Sequence, residues 1–165
     1  MEKLFTSLGL MSGTSMDGID ASVIKSDGKR EFTIIYDKYF KYSDKLHDNL
    51  VNLRDMILRE DDLETNSKNL KIIEREITVF HAEIVNSIIS SLNDKVELIG
   101  FHGQTIYHNS KNKISKQLGD GYLLSQLTKK SVIYDFRKND LKNGGEGAPL
   151  SPIYHNAIVN KYLKH

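Results

Sequence analysis

The chain has 165 residues, enough for one well-packed domain and short for two. It carries 23 basic and 22 acidic residues, a formal net charge of +1, with the lysines scattered; this excludes the electrostatic footprint of a nucleic-acid or anionic-membrane binder. Cysteine is absent, which excludes disulfides and thiolate metal sites, and no apolar run approaches the length of a membrane-spanning helix.

The first residues, Met-Glu-Lys-Leu-Phe-Thr-Ser-Leu, lack the apolar core of a signal peptide, so the expected location is the cytoplasm. Three strands are predicted next, over about 4–11, 19–25 and 31–40. In the second, Ile19, Ala21 and Val23 share one face and Asp20 and Ser22 the other, the period of a half-buried strand. Ser26-Asp27-Gly28-Lys29 supplies the turn into the third, giving an antiparallel meander. Leu46, Leu50, Leu53 and Ile57 then fall at helical spacing behind a Ser43 or Asp44 cap. A longer stripe of Leu70, Ile73, Ile77, Phe80, Ile84 and Ile88 predicts a second helix, with Thr65 or Asn66 as its cap. Val96 to Phe101 reads as a short fourth strand with helices over both sheet faces. A helix over 121–130, a fifth strand over 131–134 and a last helix opened by Ser151 and Pro152 complete the chain. A three-strand meander followed by alternating helices and strands is an α/β architecture with a mixed sheet and flanking helices. That is the element order of the ribonuclease H-like half of the actin and sugar-kinase fold.

Chemistry concentrates in a few segments. Met11-Ser12-Gly13-Thr14-Ser15-Met16-Asp17-Gly18-Ile19-Asp20 joins the first two strands with two glycines, three hydroxyls and an inner carboxylate, more than a plain hairpin turn requires. Glycines let backbone N–H groups turn toward a guest, and the hydroxyls add donors. Such a concave donor set suits a phosphate, and Asp17 suits the magnesium ion that accompanies nucleotide phosphates. A polar, glycine-rich connection explains the same residues without a ligand, and the pattern matches neither GxxxxGK[ST] nor GxGxxG.

His102-Gly103-Gln104-Thr105 sits just past the predicted fourth strand, where α/β folds collect ligands; a polar strand-end turn is the plainer account. Asp120 in Gly119-Asp120-Gly121 reads as a helix N-cap. Asp135-Phe136-Arg137 follows the fifth strand, and Arg137 is suited either to a carboxylate or phosphate or to a surface ion pair with Asp140. Asn143 to Pro149 holds three glycines in four residues, a ligand-approaching loop or a flexible connection. Histidines 47, 81, 108, 155 and 165 show no metal-ligand spacing, and His81 is expected to pack or face solvent.

Together these segments resemble the anhydro-N-acetylmuramic acid kinases. The resemblance runs in order through 11–20, Phe-His-Gly-Gln-Thr-Ile at 101–106, Gln-Leu-Gly-Asp at 117–120, Asp-Phe-Arg at 135–137 and Gly-Gly-Glu-Gly-Ala-Pro-Leu at 144–150. It implies a two-domain, actin-like kinase that opens the 1,6-anhydro ring of anhydro-N-acetylmuramic acid with water while phosphorylating O6 from ATP. The product is N-acetylmuramate 6-phosphate, a step in peptidoglycan recycling. Carried over, Gly13, Thr14, Ser15, Met16, Asp17, Gly18, Ile19 and Asp20 hold the ATP phosphates, with Asp17 near Mg2+ directly or through water. His102, Gln104, Asp135, Arg137 and Asp140 are the candidates for the sugar side.

The resemblance also implies an N-terminal half: about 1–140 as the first domain and about 141–165 as the start of the segment leading to a second. The family's general-base aspartate lies in a DTGPGN-like motif that residues 1–165 do not contain. The isolated chain is therefore expected to be inactive, as a fragment, truncated product or part of a split enzyme. A homodimer or a complementing C-terminal half is the expected partner. A non-catalytic nucleotide- or sugar-binding or assembly module on the same fold is the alternative.

Overall fold

The computed structural model describes residues 3–162, so His165 and the chain's first two residues lie outside the described portion. Strands β1 (Phe5–Ser12), β2 (Gly18–Ser26) and β3 (Phe32–Lys41) form the expected antiparallel meander. Alternation sorts β1 and β2. Leu8 and Leu10 of β1 and Ile19, Ala21 and Val23 of β2 are buried on one face, while Phe5, Gly9, Met11 and Asp20 stay exposed on the other.

Helix α1 (Asp44–Asp55) starts where Ser43 accepts the Leu46 N–H in its side-chain hydroxyl at 3.2 Å. It buries Leu46, Leu50 and Leu53. A short helix, α2 (Asp61–Thr65), precedes the long α3 (Ser67–Ser91) and was not apparent from the spacing. Asn66 therefore does not cap α3 with its side chain; its amide donates back to the Asp62 carbonyl at 2.9 Å. The α3 stripe Leu70, Ile73, Ile77, Ile84 and Ile88 packs with α1 against the buried sheet face. Each such side chain, fully buried, contributes about 1.5–3 kcal/mol.

The fourth strand departs most from expectation. Strand β4 runs from Leu98 to Asn109, straight through the His102–Thr105 block, and returns through β5 (Ile114–Leu118). The physical reason is Gly103, whose φ of +70° sets a kink that one strand absorbs. Before it, Ile99 and Phe101 face the core; after it, Gln104 and Ile106 do. The odd-to-even change of phase is visible in the apolar residues once the kink is known. A Cβ at Gly103 would lie 2.5 Å from the Leu118 carbonyl oxygen, so the close hairpin partner also requires glycine.

Helix α4 (Gly121–Thr128) begins at Asp120, whose carboxylate accepts the Leu123 N–H at 2.9 Å as expected. Strand β6 (Ser131–Ile133), helix α5 (Phe136–Lys142) and helix α6 (Pro152–Tyr162) follow. The sheet order is β3-β2-β1-β4-β5, with β6 also on β4 and the β1–β4 and β4–β6 pairs parallel. This is a mixed sheet with a three-strand meander and flanking helices, the ribonuclease H-like arrangement of the actin and sugar-kinase class.

Helices lie over both faces, unevenly: α1 and α3 cover one, and α5 and α6 reach across part of the other. Across the other face, Tyr154 of α6 packs on Phe32 with ring centroids 5.2 Å apart. Phe136 of α5 and Tyr154 border a trough of about 400 Å³ over Ser7, Gly9, Ser22 and Gly100. No helix among the described residues is long and apolar enough to cross a membrane.

Candidate functional site

The β1–β2 loop is fixed from below by buried, uncharged groups. Ser12 at the end of β1 is buried, and its Oγ lies 2.9 Å from the Tyr42 hydroxyl and 3.4 Å from His81 Nε2. The other ring nitrogen of His81, Nδ1, donates to the Ile77 carbonyl at 2.8 Å. That fixes the tautomer and leaves Nε2 as acceptor, so hydroxyl protons run Tyr42 to Ser12 to His81. His81 is fully buried and edge-on to Phe101, centroids 4.9 Å apart. Burial lowers its pKa to about 4, so it is neutral at pH 7.

Gln104, also fully buried, donates through Nε2 to the Gly13 carbonyl at 2.8 Å. At the far end of the loop the Tyr42 N–H donates to the Asp17 carbonyl at 2.8 Å. Met16, with φ of +59°, drives its side chain into the core and gives its N–H to Gly13 at 3.2 Å. Gly18 begins β2 so close to β3 that a Cβ would meet the Phe40 carbonyl oxygen at 2.4 Å.

What this scaffold leaves outward is a small donor set. The Thr14 and Ser15 N–H groups carry no protein hydrogen bond among the described residues. Asp17 is exposed, and the Ser15 hydroxyl, 2.6 Å away, holds its carboxyl below the usual range, with a smaller contribution from Tyr39. Asp20 lies on the open sheet face opposite Met11. Of the residues expected to hold phosphate, Gly13, Thr14, Ser15 and Asp17 shape the outer loop. Met16, Gly18 and Ile19 serve its fold: Met16 and Ile19 by burial, Gly18 by close approach.

The second glycine segment is held quite differently. Arg137 Nε donates to His102 Nε2 at 2.8 Å, and its Nη1 donates to the Gly147 carbonyl at 3.0 Å. The Gly147 N–H donates to Asp140 Oδ2 at 2.8 Å. Gly147 has φ of +75°, and Gly145 lies against the Asp140 carboxylate, where a Cβ would be 2.1 Å from Oδ2. Arg137 and Asp140 thus converge on Gly147, and His102 reaches the loop only through Arg137. The surface ion pair between Arg137 and Asp140 does not form, because each spends its side chain on Gly147.

Burial, and to a lesser degree the Arg137 charge, lowers the His102 pKa, and burial lowers that of Arg137. Asp135 stands apart with φ of +60°, its carboxylate 3.2 Å from Lys138 Nζ. Gln104 belongs to the first loop rather than to this group. The described residues contain no ready cluster of three metal-ligating side chains. Sequence reasoning missed the Ser12–Tyr42–His81 support. A hydroxyl at a strand end, a tyrosine after another strand and a histidine on an apolar helix stripe give no joint signal before the fold unites them.

The fold and these two glycine segments place the chain in the sugar-kinase class of actin-like proteins. The family model described as anhydro-N-acetylmuramic acid kinase matches residues 5–164. The anhydro-N-acetylmuramic acid kinase of Pelagibacter ubique (strain HTCC1062) is 57% identical over 161 residues, covering 98% of this chain and 43% of that protein. The Rhizobium etli kinase of the same name is 36% identical over 165 residues, covering 98% and 45%; that of Gluconobacter oxydans is 39% identical over 158 residues, covering 95% and 43%. The chain belongs to the anhydro-N-acetylmuramic acid kinase family. It spans a little under half the length of these curated relatives.

Proposed function

We propose that this chain supplies the phosphate loop and one wall of the sugar cleft in an ATP-dependent kinase for 1,6-anhydro-N-acetylmuramic acid. The reaction opens the anhydro ring with water and phosphorylates O6, giving N-acetylmuramate 6-phosphate. The observation that carries this reading is the Gly13–Asp17 loop, rigid beneath and rich in unused donors above. Phosphoryl transfer is mainly positioning and electrostatic stabilisation, so a preformed cradle is the part such a domain must contribute.

Asp17 fits magnesium. It is exposed, ionised at neutral pH and flanked by hydroxyls, and magnesium takes one or two carboxylates together with phosphate oxygens and waters. The metal would supply charge neutralisation on the phosphates; Thr14 and Ser15 would orient them through their N–H groups. Arg137 and Asp140, with the loop they hold, line the sugar side. Water activation is assigned to a general base outside these residues, since they contain no DTGPGN sequence. The missing wall comes from further sequence or from a complementing chain, and ATP as co-substrate puts the reaction in the cytoplasm.

Titration calorimetry with ATP–Mg2+, ADP and the anhydro sugar tests the assignment. ATP–Mg2+ binding that disappears in Asp17→Ala, with an unchanged thermal midpoint, is the expected result. An Asp17→Ala variant that binds ATP–Mg2+ as the parent does would remove the loop from the nucleotide site.

A further inference from the structure

Arg137 is a half-buried cation without a counter-ion. It forms no ion pair among the described residues, and its nearest candidate, Asp140, is turned to the Gly147 N–H. Of its five N–H donors, Nε serves His102 and one on Nη1 serves Gly147. Three remain, including both on Nη2, with no protein acceptor among the described residues. A guanidinium partly withdrawn from water and left with a free edge is unfavourable unless an anion completes it.

The bond from His102 decides which edge stays free. A guanidinium can only donate, so His102 Nε2 must accept; a carbonyl can only accept, so His102 Nδ1, 2.7 Å from the Gly103 oxygen, must carry the proton. Both ring nitrogens are thereby committed to the protein. His102 has no nitrogen left for a ligand, contrary to a direct sugar contact, yet it blocks the Nε edge of Arg137 and orients the plane of the fork. The Gly103 kink, which turns His102 away from the core face used by Gln104, makes this possible.

We propose that His102, locked as the Nδ1–H tautomer, is a positioning residue that aims the free edge of Arg137 at an oxyanion of the ligand, a carboxylate or a phosphate. The inference rests on the reading that Arg137 lines the ligand cleft. It does not depend on the phosphate loop. The arrangement needs an acceptor at His102 Nε2, not a histidine as such. Gln at this position places an acceptor oxygen near the same point, and Ala removes it.

The test is nitrogen-15 NMR on the chain, with sodium lactate as the carboxylate probe and inorganic phosphate as the phosphate probe. Expected at neutral pH are a protonated Nδ1 and an unprotonated Nε2 for His102, and an Arg137 Nε–H signal that shifts on titration with one of the two anions. His102→Ala should weaken that anion about tenfold, and His102→Gln should restore most of the affinity. Three results would overturn the proposal: a protonated Nε2, no Arg137 response to either anion, or equal anion affinity in parent and His102→Ala. If His102→Ala does not fold, the parent tautomer and the His102→Gln affinity still decide. ATP–Mg2+ titrated in parallel separates failures, because loss of nucleotide binding with a persistent Arg137 response rejects only the phosphate loop.

Discussion

The two glycine-rich segments have similar compositions and opposite support. Gly13 to Asp17 stands on Ser12, Tyr42, His81 and Gln104, all buried and uncharged, on the face that α1 and α3 cover. Gly144 to Gly147 is gripped by Arg137 and Asp140, both only half-buried and charged. Neutral buried hydrogen bonds are little affected by salt or ligands, because leaving a partner unmet costs about 1–3 kcal/mol each. Bonds from charged, partly solvated groups respond more to salt and to ligands, because screening and competing ions act on the charge. Under the proposed function, a rigid cradle would hold the nucleotide phosphates and an adjustable wall the sugar.

Gly103 joins the two, since its kink sends His102 to one system and Gln104 to the other. Gly103→Ala should therefore damage both, by on the order of 3 kcal/mol, from left-handed backbone strain plus collision with the Leu118 carbonyl. Urea unfolding checks this, and an unchanged midpoint would show that β4 relaxes without glycine.

Acid should come next and should reach the first loop through His81. Its folded pKa, about 4, lies below the ordinary 6.5, so the unfolded chain binds the proton first as pH falls. Stability is then fully present above pH 6.5 and is lost between about 6.5 and 4, by about 3 kcal/mol in all. His81→Gln should flatten that part of the pH–stability curve relative to the parent; identical curves would mean that His81 does not carry the loss. His102 shifts in the same direction for a similar reason and adds to the slope without changing its sign.

Gln104→Leu should give the smallest change, about 1 kcal/mol, because two effects oppose. The Gly13 carbonyl loses one donor but keeps Met16, and the buried Gln104 Oε1, which has no partner among the described residues, is removed. Hydrogen exchange at Thr14 and Ser15 is the sharper measurement. Faster exchange with little loss of global stability would confirm that Gln104 acts on the loop alone, whereas unchanged exchange would reject it as a support.

Local rules carried much of this. The meander, the Ser43 and Asp120 caps and the long α3 stripe follow from patterns within a few residues of each other. The glycine segments were legible as loops, because glycine and hydroxyl clusters mark chain turns at strand ends. The course of β4 was not, since Gly103 looks like a strand terminator until Leu118 lies against it. Nor was the division of labour between His102 and Gln104, two residues apart and facing opposite sides of the sheet.

The sequence by itself determined the meander, α1, α3 and α4 with the apolar faces they bury, and the places of the two glycine-rich loops, because each depends on periodicity or on one residue's backbone freedom; α2, β5 and α5 escaped it. The tertiary structure alone decided which side chains support those loops. Ser12 meets His81 and Gln104 meets Gly13 across 69 and 91 positions of chain, and His102 meets Arg137 across 35. Hydrogen-bond partners at such separations are chosen by the sheet order and by one kinked strand.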